Sequence, residues 1–427
     1  MKHHQKHYFS KLPYLLLLLR QNNDNQMRSP VFFKFLVVAL CVLTAPAAKA
    51  APPLSESAEI SLLTCSSGPA LYKTFGHNAF RVKDPVLGLD RVYNYGTFDF
   101  DTENFYLKFA RGKLNYWLST SSFERFLYEY AYYKQSVFEN EFNLTQAEKQ
   151  RLFDFLENNA LPENRFYLYD FFFDNCATRI RDAMYHTFSN NVLIADSSWY
   201  KEMTFREGIA SYSTNQPWSR LGMDLGLGIP TDRNMDIQEI MFLPEYLMKG
   251  LESMILKTGT EEKPLLRPRV TLLEGTPFGS EAGEFNYVFL LFMIILILVF
   301  YLTYQEYQKG KHNAKLDKIV FLLPAIMAVV QLLLWFGTDH RVSRINPDLL
   351  WTLPALILMF VSVRKAGFSV ILLFTIMILF YLILFLWGFN NNLTILPLVI
   401  MVLLRVIYLF YLSNKKLKNN EFSPHKS

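Results

Sequence analysis

A cysteine at position 176 stands where an aromatic run gives way to a helix-forming pattern, in the stretch YLYDFFFDNCATRIRDAMYHTF of residues 167–188. Tyr167, Tyr169, Phe171 and Phe173 alternate with Leu168, Asp170 and Phe172, which predicts a strand. Asp174 and Asn175 are both good N-caps. Ile180, Ala183, Met184, Thr187 and Phe188 fall on one helical face, so a helix starts within a residue or two of Cys176. A thiol at that point meets unpaired backbone N–H groups and the positive end of the helix dipole, with Arg179 and Arg181 in the next turn and a half. These features favour a thiolate, and the chemistry of a thiolate is attack on an acyl carbon to give a thioester. Asp174, Asn175 and Arg179 are the supporting residues of this site, and the N–H groups of the helix start are its oxyanion donors. The competing use of Cys176 is as a small buried hydrophobe, or as half of a disulfide with Cys65.

A thiol nucleophile needs a base, and His77 is placed to be one. Residues 60–82, ISLLTCSSGPALYKTFGHNAFRV, read as a strand, a Gly/Pro turn and a second strand entered through Gly76-His77. A histidine that opens a strand behind a glycine can face a cleft. His186 lies in the Cys176 helix but two and a half turns on, too far to touch the thiol. No CxxC pair, HExxH run or P-loop is present, so nothing in the sequence argues for a metal, a nucleotide or another cofactor.

These residues sit in the first half of a 427-residue chain that is 51% hydrophobic and 16% aromatic, and most of the excess lies beyond Phe285. Net charge is only +5, with lysines concentrated beside apolar segments, which argues against a nucleic-acid partner. Residues 1–50 read as a signal segment: Met27-Arg28 and Lys34, an apolar core from Phe35 to Thr44 that contains Cys41, and Ala48-Lys49-Ala50 before the cut. Met27 alone would begin an ordinary signal peptide. A soluble domain then covers 51–283, transmembrane segments 284–414 and a cytoplasmic tail 415–427.

Within the soluble domain a third strand is expected over Asp90–Asp101, and helices follow the capping patterns Ser121–Glu124 and Thr145–Glu148. Phe105, Tyr106, Phe109, Tyr116, Trp117, Tyr128, Tyr132 and Tyr133 exceed what one helix pair needs to bury, and some are suited to an acyl-chain groove or to lipid headgroups. Residues 200–275 read as turn-rich, with one amphipathic helix over 242–257.

Five apolar stretches follow, at about 287–304, 319–337, 349–363, 368–389 and 395–412, the third short and interrupted by Pro354. Lys309, Lys311, Lys315 and Lys318, then Arg364 and Lys365, then Lys415, Lys416 and Lys418 fall on one side if all five cross. That side is the cytoplasm. The soluble domain then lies in the periplasm, on the outer face of the inner membrane. The loop TDHRVSRINPDLLW shares that side and carries Asp339, His340, Arg341, Arg344 and Asn346. Arg405 inside the last stretch is an intramembrane charge of the kind that marks a site.

A histidine on an early strand and Asn-Cys at a later helix start resemble the circularly permuted papain-like cysteine enzymes, such as lecithin:retinol acyltransferase and its relatives. TFGHNAFRV, VYNYGTFDF and YDFFFDNCATRIRD together resemble the bacterial Lnb-like family, which joins a periplasmic domain to a membrane domain and whose named member is a lipoprotein N-acyltransferase. The resemblance implies an α+β permuted papain-like periplasmic domain followed by an all-α domain of about five transmembrane helices. It implies a phospholipid acyl donor, a Cys176 thioester and a lipoprotein amine as acceptor. Asn94, on the strand after His77, is offered as the third catalytic residue; related permuted enzymes often have a second histidine there, so Asp99 and Tyr95 stay open. His340, Asp339, Asn346 and Tyr95 are implied substrate contacts. A cysteine hydrolase, of cell-wall peptidase or phospholipase type, and a non-enzymatic sensor with a Cys65–Cys176 disulfide are the alternatives.

Overall fold

The structure is a computed structural model that describes residues 52–258, 261–276, 286–361, 363–390 and 392–421. The leader reading, with Met27 and Cys41, lies outside the described residues. Among them the first part is an α+β arrangement of antiparallel sheets and helices, and the last part is helical.

Strand β1 (Glu59–Cys65) is central, paired on one side with β2 (His77–Asp84) and, through it, with β3 (Leu89–Thr97). Helix α1 (Phe105–Ala110) leads to β4 (Asn115–Ser122), α2 (Phe123–Tyr132), β5 (Val137–Glu141), α3 (Gln146–Ala160) and β6 (Phe166–Leu168). With the later β10 (Val270–Leu273), the spatial order is β10-β5-β1-β2-β3-β4-β6. The third strand stops short of the expected Asp101 because the ladder slips: Asn94 faces Ser119, but Thr97 faces Trp117, so β3 carries one extra residue in a bulge. Ser122 rather than Ser121 caps α2 by accepting from Arg125 N–H, so the box expected over Ser121–Glu124 does not close, whereas Thr145 and Glu148 close the predicted box on α3.

The aromatic run is not one strand. It pairs only as β6, and after Tyr169 the chain makes a tight loop. Asp170 and Asp174 exchange both main-chain bonds, and Asp170 Oδ1 accepts from the N–H groups of Phe172 and Phe173. The loop delivers the chain into α4 (Cys176–Phe188), which packs on β2, β3 and α3.

Beyond β7 (Val192–Ile194) lie α5 (Phe205–Tyr212) and α6 (Pro217–Gly226). The single helix expected over 242–257 is instead a 3₁₀ turn, a short α7 (Pro244–Glu252) and β8 (Met254–Thr258), which pairs with β7 and with β9 (Glu261–Pro264). Phe172, Phe205, Ile209, Ile240, Phe242 and Leu243 form the core under this half.

The helical part comprises α8 (Tyr287–Lys309), α9 (Ala314–Gly337), α10 (Leu349–Phe360), α11 (Val363–Leu386) and α12 (Leu396–Glu421). Among the described residues, four helices are long and apolar enough to cross a membrane: 287–309, 314–337, 367–386 and 393–415. Helix α10, at 12 residues, spans only about 18 Å, short of the roughly 30 Å of hydrocarbon. Both turns at the end nearest the sheet domain touch it. Asn392 donates to Asp224 Oδ2 at 2.8 Å, and Gly228 and Ile229 donate to Val342 O and Ile345 O.

Arg405 does not snorkel. It is fully buried, with Nε 2.9 Å from Asp317 Oδ1, Nη2 3.1 Å from Glu306 Oε2 and Nη1 2.8 Å from Thr303 Oγ1, while His312 Nε2 stands 2.6 Å from Asp317 Oδ2. Its partners come from α8 and α9, so the residue ties three helices together.

Candidate active site

Cys176 is the first residue of α4, and Asn175 is its cap. Asn175 Oδ1 accepts from Ala177 and Thr178 N–H at 2.9 Å each, and its own N–H donates to Thr178 Oγ1 at 2.7 Å. Its amide Nδ2 donates to Phe171 O and Phe242 O, both at 2.8 Å. Asn175 is thus fully used in fixing the helix start, and its amide is not an oxyanion donor. Among the described residues Cys176's own backbone N–H has no acceptor, which leaves it available.

Arg179 Nη2 is 2.7 Å from Asp174 Oδ2, and the guanidinium lies 4.0 Å from the Tyr167 ring centre. This pair holds the loop before the helix and neutralises Arg179. It faces an open cleft of about 370 Å³ shared with Tyr95, Asn159, Phe173 and His186. Tyr95 is buried with its ring 6.4 Å from that of Tyr167.

His77 begins β2, directly across from Cys65. Gly76 makes that approach possible: its φ is +78°, and a Cβ there would lie 2.6 Å from Cys65 O. His77 Nε2 is 3.3 Å from Asn94 Oδ1. With Nε2–H directed to that carbonyl, Nδ1 is the nitrogen left for the thiol.

The electrostatics agree with this geometry. Burial alone would push the Cys176 thiol up, but the charge and hydrogen bond of His77, with N–H bonds from Asn78 and Ala177, outweigh it and hold the thiol below its ordinary value. Burial pulls His77 down, and the opposing charge and hydrogen bond of Cys176, helped by Asn94, hold it above its ordinary value. The two opposite shifts each favour the charged form of the partner, the direction of a thiolate beside an imidazolium. Cys65 behaves oppositely: burial drives its thiol far up, a hydrogen bond from Tyr130 opposing only in part. Both cysteines are free thiols, with no disulfide between them.

The structure therefore brings Cys176, His77 and Asn94 together. Asp99, offered beside Asn94, lies past the end of β3, exposed and bonded to the Asp101 N–H at 2.9 Å. The membrane-loop residues do not join the group. His340 Nε2 stands 3.4 Å from Phe109 O, and Asp339 N–H donates to Arg111 O at 3.1 Å. Buried Asn346 donates to Leu225 O at 2.8 Å and accepts from Asp348 N–H. Each is satisfied by neighbouring protein groups, so in this structure these three residues hold the loop to the sheet domain.

Two features of the site escaped the sequence reading. Gly96, in the β3 bulge with φ +89°, presents bare backbone to the thiol: a Cβ there would lie 3.8 Å from Cys176 Cβ and 3.4 Å from the Tyr169 ring. A glycine inside a strand pattern is a bulge signal, and YNYGTF carried it. Tyr167, Tyr169 and Tyr116 wall the same side, with Tyr116 and Tyr169 stacked at 4.4 Å. The alternating pattern assigned Tyr167 and Tyr169 to a strand face, and Tyr116 was grouped with the rings suited to an acyl-chain groove or to lipid headgroups, so none was placed at the thiol.

A sheet-bearing domain with a cysteine–histidine pair, followed by apolar helices, defines a membrane protein with a folded domain outside the bilayer. Residues 54–206 match the Lnb N-terminal periplasmic domain and residues 285–417 match the Lnb transmembrane domain. The chain belongs to the Lnb-like family, and its N-terminal domain is periplasmic. No curated protein and no solved structure matches it.

Proposed function

We propose that the protein is a cysteine-dependent acyltransferase of the inner membrane that moves a fatty acyl chain from a phospholipid to the α-amino group of diacylglyceryl-cysteine on lipoproteins. The observation that carries this reading is the Cys176 thiol at a helix start, lowered by His77, whose other nitrogen meets Asn94. The order of base on an early strand and nucleophile on a later helix also supports a permuted papain-like site.

The thiolate of Cys176 attacks the ester carbonyl carbon of the phospholipid. The oxyanion is met by the Cys176 backbone N–H, the C–O bond breaks, and His77 gives its proton to the departing lysophospholipid oxygen. The lipoprotein amine then attacks the thioester, His77 takes the amine proton, and the thiolate leaves. Membrane helices beside the domain keep donor and acceptor, both lipid-anchored, in the same plane. The C-terminus lies in the cytoplasm in this reading, since α12 is the last crossing away from the periplasmic turns.

A hydrolase shares the first half-reaction, so the fate of the thioester is the test. Purified protein in vesicles with labelled phospholipid and a diacylglyceryl-cysteine peptide should give acylated peptide at the expense of free fatty acid. Release of fatty acid alone, with peptide present, would replace the transferase by a lipase-like hydrolase.

A further inference from the structure

The sheet domain exposes large apolar side chains on one contiguous patch. Tyr106, Leu107 and Phe109 on α1 are 80%, 59% and 54% exposed, and Leu71, Tyr72 and Phe100 beside them are exposed as well. The patch is joined through ring contacts: Tyr72 with Phe98 at 6.3 Å, Phe98 with Phe100 at 5.0 Å, Phe100 with Phe105 at 4.9 Å and Phe105 with Phe109 at 6.2 Å. Such a surface on a water-facing domain would be costly unless something covers it.

Its position says what does. The main chain at the end of α1 is tied to the loop that leaves α9: Asp339 N–H donates to Arg111 O, His340 reaches Phe109 O, and Lys113 pairs with Asp339 at 3.7 Å. Three residues before Asp339, Phe336 is 75% exposed and stacked on Trp335, the aromatic pair expected where a spanning helix meets the headgroups. Three residues of chain reach at most about 11 Å, so α1 lies at the level of the bilayer surface. Lys108 and Arg111 stand at the C-terminal end of α1, beside the Lys113–Asp339 pair, and Asp99, Asp101 and Glu103 precede its N-terminus. That balance fits a zwitterionic headgroup.

The patch also connects to the nucleophile. From Phe98 the rings continue to Tyr116 at 5.3 Å and to Tyr169 at 4.4 Å, whose edge flanks Gly96 next to Cys176. We propose that this face of α1 is seated in the periplasmic leaflet and is the lip across which a phospholipid is drawn toward Cys176. The seating stands on geometry alone; the delivery rests on the acyltransferase reading.

The test uses the full chain, with Cys41→Ala, Cys65→Ala and Cys176→Ala, in phosphatidylcholine nanodiscs. A bimane label is placed singly at Leu107→Cys, at Phe336→Cys as a membrane reference and at Val86→Cys as a water reference, and doxyl-labelled phosphatidylcholine is the quencher. The Leu107 label should be quenched as strongly as that at Phe336. Quenching no stronger than at Val86, or blocked emission that depends on protein concentration and so marks a second copy, would overturn the seating. In the otherwise native chain, Tyr106→Ser with Leu107→Ser and Phe109→Ser should slow Cys176 acylation by vesicle phospholipid about tenfold, while iodoacetamide still alkylates Cys176 at the native rate. Acylation at the native rate would overturn delivery across this lip. Absence of any acylation in the native chain would remove the acyltransferase reading instead, leaving the quenching result to decide the seating.

Discussion

The carboxamide oxygen of Asn94 stands 3.3 Å from Nε2 of His77, which leaves Nδ1 as the nitrogen free to meet the Cys176 thiol. Removing that acceptor should leave the fold intact and let the ring turn. Asn94→Ala is expected to lower the single-turnover rate of Cys176 acylation about ten- to hundredfold, with little change in lipid affinity. Asn94→Asp, which keeps an acceptor, should retain more of the rate. Equal rates for Asn94→Ala and the native chain would remove Asn94 from the site.

The pH dependence follows from the two shifts. Cys176 is held below the ordinary thiol value of 9.0 and His77 above the ordinary imidazole value of 6.5, so each group favours the charged form of the other. Alkylation by iodoacetamide should therefore persist below pH 9.0 and fall off on the acid side. In His77→Ala the burial persists without its opposing charge. The midpoint of alkylation should then move upward, and an unchanged midpoint would contradict the pairing.

Positions that shape the site without reacting should lose function more than stability. Gly96→Ala forces a side chain into φ +89° against the Tyr169 ring, at a cost of about 1–2 kcal/mol. Asn175→Ala removes a cap worth about 1–2 kcal/mol and strands Phe171 O and Phe242 O. Both proteins should insert and melt within several degrees of native, yet alkylate at Cys176 much more slowly, as paired thermal-melt and labelling assays would show. Native labelling rates in both would mean that the bulge and the cap do not set the thiol.

The placement of Cys176, His77 and Asn94 near one another was legible from caps before the cysteine, a glycine before the histidine, and a place for the asparagine on the strand after the histidine strand. What was not legible depends on distant partners. Residues 254–258 become a strand because β7 and β9 flank them, and the helical period read over 242–257 does not announce that pairing. The polarity of Asp339, His340 and Asn346 reads alike whether a loop meets a substrate or another part of the chain. The contacts with Arg111, Phe109 and Leu225 lie too far along the chain for the local sequence to announce them. The short third apolar stretch was readable from Pro354 and its length. Arg405 was readable as unusual but not as paired, since Glu306 and Asp317 lie about a hundred residues earlier.

That pairing is itself testable. Arg405→Met leaves Asp317 and Glu306 buried opposite an apolar side chain and should cost about 3–5 kcal/mol. Adding Asp317→Asn and Glu306→Gln should restore much of the loss. Thermal unfolding in detergent measures both. A single variant as stable as the native protein would show that the network contributes little to holding α8, α9 and α12 together.

The central claim is that Cys176 becomes an acyl thioester at the expense of a phospholipid ester. Mass spectrometry of the full chain after brief incubation in phospholipid vesicles without acceptor tests it most directly. The account predicts one acyl chain added, mapped to the peptide carrying Cys176, released by neutral hydroxylamine and absent from Cys176→Ala. An unmodified Cys176 peptide, or the same adduct on the Cys176→Ala protein, would contradict it.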